Sequence, residues 1–160
     1  MGYKHDPDEI VAGGVALVLD EGLSRLSFGR LAKRMGISDR SIVYYFPTKP
    51  ALVEAVVGRL GQRLFALLDD AFGAEPLTPD EMARRAWPAL SSPEADGVFA
   101  LWFQLVGLAS AGIEPYDELA RVSLGAWIAW LAPRLAVDDD EDPAAAAASL
   151  VATIDGLLLV

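Results

Sequence analysis

Six basic side chains lie between residues 25 and 49 of this 160-residue chain, and Asp39 is the only acid among them. Ammonium and guanidinium groups neutralise phosphates, and a guanidinium can also bind a guanine edge through two hydrogen bonds. These residue types are therefore typical of a nucleic-acid contact. The six basic residues are Arg25, Arg30, Lys33, Arg34, Arg40 and Lys49.

The charge distribution supports that interpretation, although the whole chain has a formal charge of −10. Residues 1–63 hold nine basic and seven acidic side chains, a net charge of +2. Residues 64–160 hold four basic and sixteen acidic side chains, a net charge of −12. DNA affinity depends on local phosphate neutralisation, so the acidic total does not exclude DNA. The alternative is a surface helix that simply carries a few basic residues.

Two short helices joined by a tight turn must position these basic residues. Ala32 lies four residues before Gly36, and Ile42 lies six residues after it. A small residue lets two helices approach, glycine accepts positive φ, and a branched apolar residue locks the second helix onto the first. The spacing predicts a helix-turn-helix whose second helix can enter a major groove. Its predicted core is Phe28, Leu31, Ile37, Ile42 and Phe46.

Capping residues, prolines at first helical positions and terminal glycines predict an all-α chain. Thr78 and Glu81 form a predicted capping box, and Pro88 is expected to end or kink its helix. Helix 49–72 is the predicted connector between the headpiece and the body. The predicted helices span 7–21, 28–35, 39–45, 49–72, 79–90, 93–112, 115–136 and 143–160.

The sequence lacks the residues that several classes of functional site require. The chain has no cysteine, which fits a reducing cytosol, and its single histidine is His5. No catalytic triad, metal-ligand cluster or phosphate-binding glycine loop is present, so we expect no catalytic site, metal or cofactor. The acidic run 138–142 lacks the glycine and spacing of a calcium loop. The uncharged run 97–113 is shorter than the roughly 20 residues of a membrane span, and predicts a core helix.

With these motifs in place, the sequence resembles the tetracycline-repressor-like (TetR) family of bacterial transcription regulators. The resemblance covers roughly residues 8–57, and Ile154-Asp155-Gly156-Leu157 looks like the family's dimerisation helix. The matching segments are Ile10 to Leu19, Phe28-x-x-Leu31-Ala32, Gly36-Ile37-Ser38 and Ile42-x-Tyr44-Tyr45-Phe46-Pro47-Thr48-Lys49-x-x-Leu52.

The resemblance implies a cytoplasmic bacterial regulator, interpreted as a repressor, that binds palindromic operator DNA as a homodimer. It also implies control by a small apolar or aromatic effector and no membrane partner. On this interpretation residues 1–48 form the DNA-binding domain, and residues 49–160 bind the effector and dimerise. The alternatives are a helical protein-interaction module of the same fold without an effector, and an α-helical enzyme that uses the aromatic cavity.

Matching the family motif residue by residue gives the candidate DNA contacts. The N-terminal part of the recognition helix supplies base contacts, and Arg40 there can bind either a guanine or a phosphate. The positive charge of Lys49 lies at the N-terminus of its own helix, where it opposes the helix dipole. This placement indicates a phosphate partner. The base-contact candidates are Ser38, Arg40 and Ser41, and the phosphate or groove candidates are Ser27, Tyr44, Tyr45, Thr48 and Lys49.

Aromatic residues concentrate in the fifth to seventh predicted helices. Packing explains any single ring, but together they suit an apolar effector cavity. Trp127 and Trp130 are three residues apart, so one can line the cavity while the other packs outward. Gln104 needs a partner if buried, and the ligand is one candidate. The predicted effector-binding set is Leu64, Leu68, Trp87, Phe99, Trp102, Phe103, Gln104, Val106 and Trp127.

Three features depart from the family pattern. Val43 stands where tyrosine is usual, and Asp39 stands where a small, polar or basic residue is more common. We interpret Asp39 as a first-turn carboxylate that favours the helix dipole, although it could also accept from a cytosine amino group. The chain stops at Val160 inside an apolar run, so we expect the natural protein to continue into one more helix.

Overall fold

The computed structural model describes residues 6–159, apart from the side chain of Glu94, so His5 and Val160 lie outside the described residues. Within this range the chain is all-α, which confirms the predicted fold class. Two short 3-10 turns occur at Leu23–Arg25 and Ala132–Arg134. The helices are α1 (Pro7–Glu21), α2 (Phe28–Met35), α3 (Asp39–Tyr45), α4 (Lys49–Phe72), α5 (Pro79–Leu90), α6 (Pro93–Ser110), α7 (Tyr116–Leu131) and α8 (Pro143–Leu158).

Six of the eight helices in the described residues begin at a residue whose side chain caps them. An oxygen of each cap accepts a hydrogen bond from a backbone N–H in the first turn, which would otherwise lack a partner. Thr78 and Glu81 bond reciprocally in the predicted capping box. The other side-chain caps are Asp6 for α1, Ser27 for α2, Ser38 for α3, Thr48 for α4 and Asp142 for α8.

Two prolines explain where the observed helices depart from the predicted ones. Helix α7 ends at Leu131 rather than at residue 136, because Pro133 has no N–H and its ring would clash with the carbonyl of Ala129. Pro88 does not end α5, which continues to Leu90. It lies in the last turn of α5, so few helical hydrogen bonds remain for it to disrupt. Helices α6, α7 and α8 are also shorter by one or two residues at their remaining ends.

Helices α1, α2 and α3, which we call the headpiece, pack on the first half of α4. Their shared core holds Ile10, Leu31 and Ile42, each with no exposed surface. Gly14 lies where α1 meets α4, and a Cβ there would stand 2.6 Å from a Val56 methyl carbon. The helix tolerates this glycine, which costs about 1 kcal/mol of helix propensity, because the two helices then approach closely.

The second half of α4 packs with α5, α7 and α8, and we call α5–α8 the body. A second apolar core there includes Leu68, Phe72, Met82 and Leu131. Helix α6 links the two regions, because its Leu101 and Leu105 belong to the headpiece core. The backbones at Leu77 and Leu135 form a single isolated bridge that ties the loops before α5 and after α7.

Candidate functional site

The turn between α2 and α3 has the geometry that the Ala32–Gly36 spacing predicts. Gly36 adopts the left-handed conformation with φ 68° and ψ 29°, which glycine accepts without strain. The N–H groups of Gly36 and Ile37 both donate to the carbonyl of Ala32, at 3.1 Å for Ile37. Ile42 is the buried residue of α3 and anchors that helix to the headpiece. The rest of α3 is thereby turned outward.

Helix α3 presents an exposed surface that includes Asp39, Arg40 and Val43. Arg40, on α3, and Lys49, at the start of α4, form no ion pair with any described residue. By contrast, Arg30 pairs with Glu21 at 2.7 Å and Arg34 pairs with Asp20. Arg25 and Lys33 likewise form no ion pair with a described residue, so unpaired basic side chains extend from the turn before α2 to the first turn of α4.

The predicted hydroxyl contacts serve as helix caps and remain at the surface. Ser27 accepts from the Arg30 N–H at 3.4 Å, and Thr48 accepts from the Ala51 N–H at 3.3 Å. Ser38 accepts from the Ser41 N–H at 3.3 Å, and the two serine hydroxyls lie 2.9 Å apart. Capping uses an oxygen lone pair, so the O–H of Ser27 and of Thr48 stays available as a donor.

Tyr44 and Tyr45 form an edge-to-face pair whose ring centroids are 4.9 Å apart. The Tyr44 side chain is 70% exposed, while Tyr45 packs partly against the headpiece core. This division agrees with the prediction that adjacent helical residues cannot both bury against one neighbour. The Tyr44 ring is consequently placed on the same outward surface as Arg40.

A cavity of about 290 Å³ lies in the body and is walled by α4, α5, α6, α7 and α8. Its walls are predominantly apolar and aromatic, which is typical of a small-molecule site. Five of the nine residues that the sequence predicts for effector binding line this cavity: Leu64, Leu68, Phe99, Trp102 and Trp127.

The other four predicted residues do not line the cavity. Trp87 and Val106 are 39% and 37% exposed on the outer faces of α5 and α6. Phe103 shares a helical face with Phe99, and their ring centroids are 6.4 Å apart, but Phe103 is not among the cavity-lining residues. Gln104, the next residue, points about 100° away from Phe103. Gln104 instead accepts a hydrogen bond from the Leu23 N–H at 2.9 Å, so its partner is the headpiece.

Trp130 packs outside the cavity, while Trp127, three residues before it, lines the cavity. The Trp130 ring contacts Phe65 and Phe72 with centroid distances of 4.9 and 5.7 Å. The guanidinium of Arg134 lies 4.3 Å from the same ring centre. The opposite roles of the two tryptophans agree with the prediction from their spacing.

Asp155 lines the cavity, and sequence reasoning did not predict it there. Its carboxylate accepts a hydrogen bond from Trp102 Nε1 at 3.0 Å. Burial raises the pKa of Asp155, and the Trp102 bond partly opposes that rise. One sequence signal could have indicated its role, because Asp155 is the only charged residue between Pro143 and Val160. Burying a lone carboxylate in an otherwise apolar helix is unfavourable unless the carboxylate has a polar partner.

Two further classes of site are absent from the described part of the chain. No group of three or more histidine, aspartate or glutamate side chains there could hold a metal ion. No helix within residues 6–159 has the combined length and hydrophobicity needed to cross a bilayer.

The chain is similar to known proteins in both sequence and structure. Residues 10–56 match the family model described as bacterial regulatory proteins, tetR family. A crystal structure of SCO7518 from Streptomyces coelicolor A3(2), described as a transcriptional regulator, shares 27% identity with a TM-score of 0.73, covering 95% of this chain and 84% of that chain. The chain therefore resembles TetR-family regulators in its N-terminal segment and in its fold. TetR-family proteins are regulators rather than enzymes, in agreement with the prediction of no enzymatic activity.

Two further proteins are similar to this chain. The nucleoid occlusion factor SlmA of Mannheimia succiniciproducens is 30% identical over 59 residues, which are 37% of this chain and 27% of that protein. The chain thus matches about a quarter of the length of this curated relative. The multidrug binding protein EbrR, in a crystal structure with proflavin, is 25% identical with a TM-score of 0.63, covering 96% of this chain and 86% of that chain.

Proposed function

We propose that this TetR-like protein binds palindromic operator DNA as a homodimer, and that a small apolar or aromatic effector in the body cavity controls its affinity. One observation carries the proposal. The exposed helix α3 feeds directly into α4, whose far half walls the cavity through Leu64 and Leu68. A shift of α4 on ligand binding would therefore move the headpiece.

The DNA side of the proposal rests on exposure and charge. Ser38, Arg40 and Ser41 begin α3, where side chains of a recognition helix reach base edges. Arg40 serves as the base reader, since a bidentate guanidinium discriminates guanine by roughly 1–3 kcal/mol. The phosphate contacts, which give affinity without sequence information, come from Ser27, Tyr44, Tyr45, Thr48 and Lys49.

The dimer side rests on an apolar surface of the body. Leu124 on α7 is 38% exposed, and Leu157 on α8 is 50% exposed. A second copy covering this surface would remove apolar area from water. Two-fold pairing would then have to place the two α3 helices about 34–36 Å apart, one turn of duplex, to read both half-sites.

The effector side rests on the cavity and on population shift. A ligand changes DNA affinity only if it binds the DNA-incompetent arrangement more tightly than the competent one. Helix α6 offers a second mechanical link beside α4, because it carries Trp102 in the cavity wall and Gln104 bonded to the headpiece. The similarity to EbrR, which was crystallised with proflavin, supports a body that accepts an aromatic small molecule.

Fluorescence anisotropy with a labelled duplex tests the DNA-binding part. The probe is the promoter region of the protein's own gene, with a scrambled duplex of equal length and composition as the control. We expect tighter binding to the promoter duplex, a two-fold symmetric footprint, and a steep loss of affinity with salt. Equal affinity for both duplexes would contradict the regulator function. Sedimentation of the free protein tests the dimer independently.

A further inference from the structure

We propose that the cavity selects organic cations: molecules with an aromatic or alkyl body and one positively charged nitrogen held beside Asp155. The inference deepens the proposed function, because it rests on the cavity being the ligand site. It concerns the charge of the ligand, for which shape and hydrophobicity alone give no answer.

The charges in the cavity wall are the first argument. Among the described residues that line the cavity, Asp155 and Glu54 are the only ionisable side chains, and both are acids. No lysine, arginine or histidine is among them. Glu54 is exposed, so it lies where the cavity opens to solvent, whereas Asp155 is half-buried. A ligand that enters this cavity therefore meets negative charge at the opening and again inside.

The four basic residues between residues 64 and 160 do not pair with Asp155. Arg85 on α5 donates to the backbone carbonyl of Phe72 at 3.0 Å, and Arg84 pairs with Asp80. Arg121 on α7 pairs with Glu118, and Arg134 pairs with Asp69 at 3.0 Å. Asp155 thus has no ion pair within residues 6–159. A counter-charge for Asp155 would therefore have to come from outside the described residues.

The local geometry leaves room for such a match. Trp102 Nε1–H donates to Oδ2 of Asp155, and Oδ1 has no hydrogen-bond partner among the described residues. A half-buried carboxylate without a counter-charge is unfavourable in apolar surroundings, and a cation relieves that cost. The rings of Trp102, Trp127 and Phe65 also line the cavity, and ring faces attract cations.

The same features act against other ligands. An anion would place like charges together, and a neutral molecule of the same shape would cover the carboxylate without pairing it. Asp155 is therefore expected to be the residue that determines ligand charge. The apolar walls give affinity for the body of the ligand and do not distinguish its charge.

The test uses an isosteric pair, benzyltrimethylammonium and neopentylbenzene, which differ in having N⁺ or C at one position. Binding is followed by fluorescence of the protein, since Trp102 and Trp127 line the cavity. We expect the cation to bind at least about tenfold more tightly than the neutral isostere, which corresponds to about 1.4 kcal/mol. Asp155→Asn should abolish that preference by weakening the cation alone.

The control variant is Asp70→Asn, which makes the same charge change on an exposed site of α4 outside the cavity lining. Asparagine can still accept from Trp102 Nε1, so the fold should persist, and unchanged affinity of Asp155→Asn for neopentylbenzene verifies this. Equal affinity of the wild-type protein for both molecules would overturn the charge selection and leave the ligand site standing. Binding of neither molecule would overturn both proposals.

Discussion

The headpiece and the body are built from the same kind of helix but are packed in opposite ways. Several large aliphatic side chains of the headpiece, such as Ile10, Leu31 and Ile42, have no exposed surface. The body instead keeps about 290 Å³ open between α4, α5, α6, α7 and α8, with a carboxylate in its wall. Unpaired basic side chains such as Arg40 and Lys49 lie on the headpiece side, whereas the ionisable residues that line the cavity are the acids Glu54 and Asp155. A region that must hold one shape is filled, and a region proposed to admit a ligand is not.

The largest effect should come from a large-to-small substitution in the densely packed headpiece core. Ile42→Ala removes the side chain that anchors α3, and we expect a loss of about 2–5 kcal/mol in the free energy of unfolding. Leu68→Ala in the cavity wall should cost less, because part of the Leu68 side chain already faces open space. Urea denaturation of both variants measures the difference. Equal costs would show that the two regions are packed alike.

The next effect concerns sequence reading by α3. Arg40→Ala should weaken operator binding by about 1–3 kcal/mol and relax the preference at one base position in each half-site. Competition with duplexes mutated one position at a time measures both quantities. Arg84→Ala, an exposed body arginine paired with Asp80, is the matched control. A uniform loss across all duplexes would instead assign Arg40 to a phosphate.

Lys49 should affect affinity and not sequence preference. Lys49→Ala removes one proposed phosphate contact, so the slope of log affinity against log salt should fall by about 0.9 per DNA-bound subunit. The loss should be similar for specific and scrambled duplexes. A salt titration of the wild-type protein and the variant measures the slope. An unchanged slope would remove Lys49 from the interface.

The junction between the two regions should respond more weakly. Gln104→Ala leaves the partly buried N–H of Leu23 without its partner, at a cost of about 1 kcal/mol in unfolding free energy. If α6 transmits the ligand signal, the variant should also show a smaller ligand effect on DNA affinity. Gln62→Ala, at an exposed position on α4, is the control. Full retention of the ligand effect would leave α4 as the only link.

The smallest effect is a pH dependence of stability due to Asp155. Because burial raises its folded-state pKa above the unfolded value, the stability that this group contributes is present below the unfolded pKa. That stability is lost as the pH rises through the folded pKa, with a slope of at most about 1.4 kcal/mol per pH unit. Asp155→Asn should flatten this decline in urea midpoints measured against pH, and a parallel decline would contradict the assignment.

Sequence rules succeed where local chemistry decides the structure. The caps Ser27, Ser38 and Thr48 and the turn glycine Gly36 act within a few residues, so the headpiece helices begin and end at the predicted positions. The predicted ends of the body helices are less accurate, because the predicted helix 115–136 runs through Pro133 and α7 stops before that proline. The contacts among the body aromatics depend on how the helices pack against one another, which local sequence rules do not predict.

The cavity shows that limit most clearly. Phe99 and Phe103 share a helical face by spacing, yet only Phe99 lines the cavity, because the neighbours of α6 determine which part of that face is enclosed. For Gln104 the sequence offers a ligand as one candidate partner. The observed partner, the Leu23 N–H, lies 81 residues away in the chain, and no local pattern connects the two. Asp155 was assigned to a dimer helix from a motif, and its bond to Trp102 also spans distant residues.

The turn at Gly22 has a consequence for the evolution of this protein. Gly22 has φ 90° and ψ 159°, a conformation that other residues rarely adopt, and a Cβ there would stand 2.9 Å from Gln104 Oε1. A lineage that replaces Gly22 must therefore also move or shorten the side chain at position 104. Among descendants of a common ancestor, position 22 is expected to remain glycine, because the strain at its φ of 90° persists whatever residue stands at position 104.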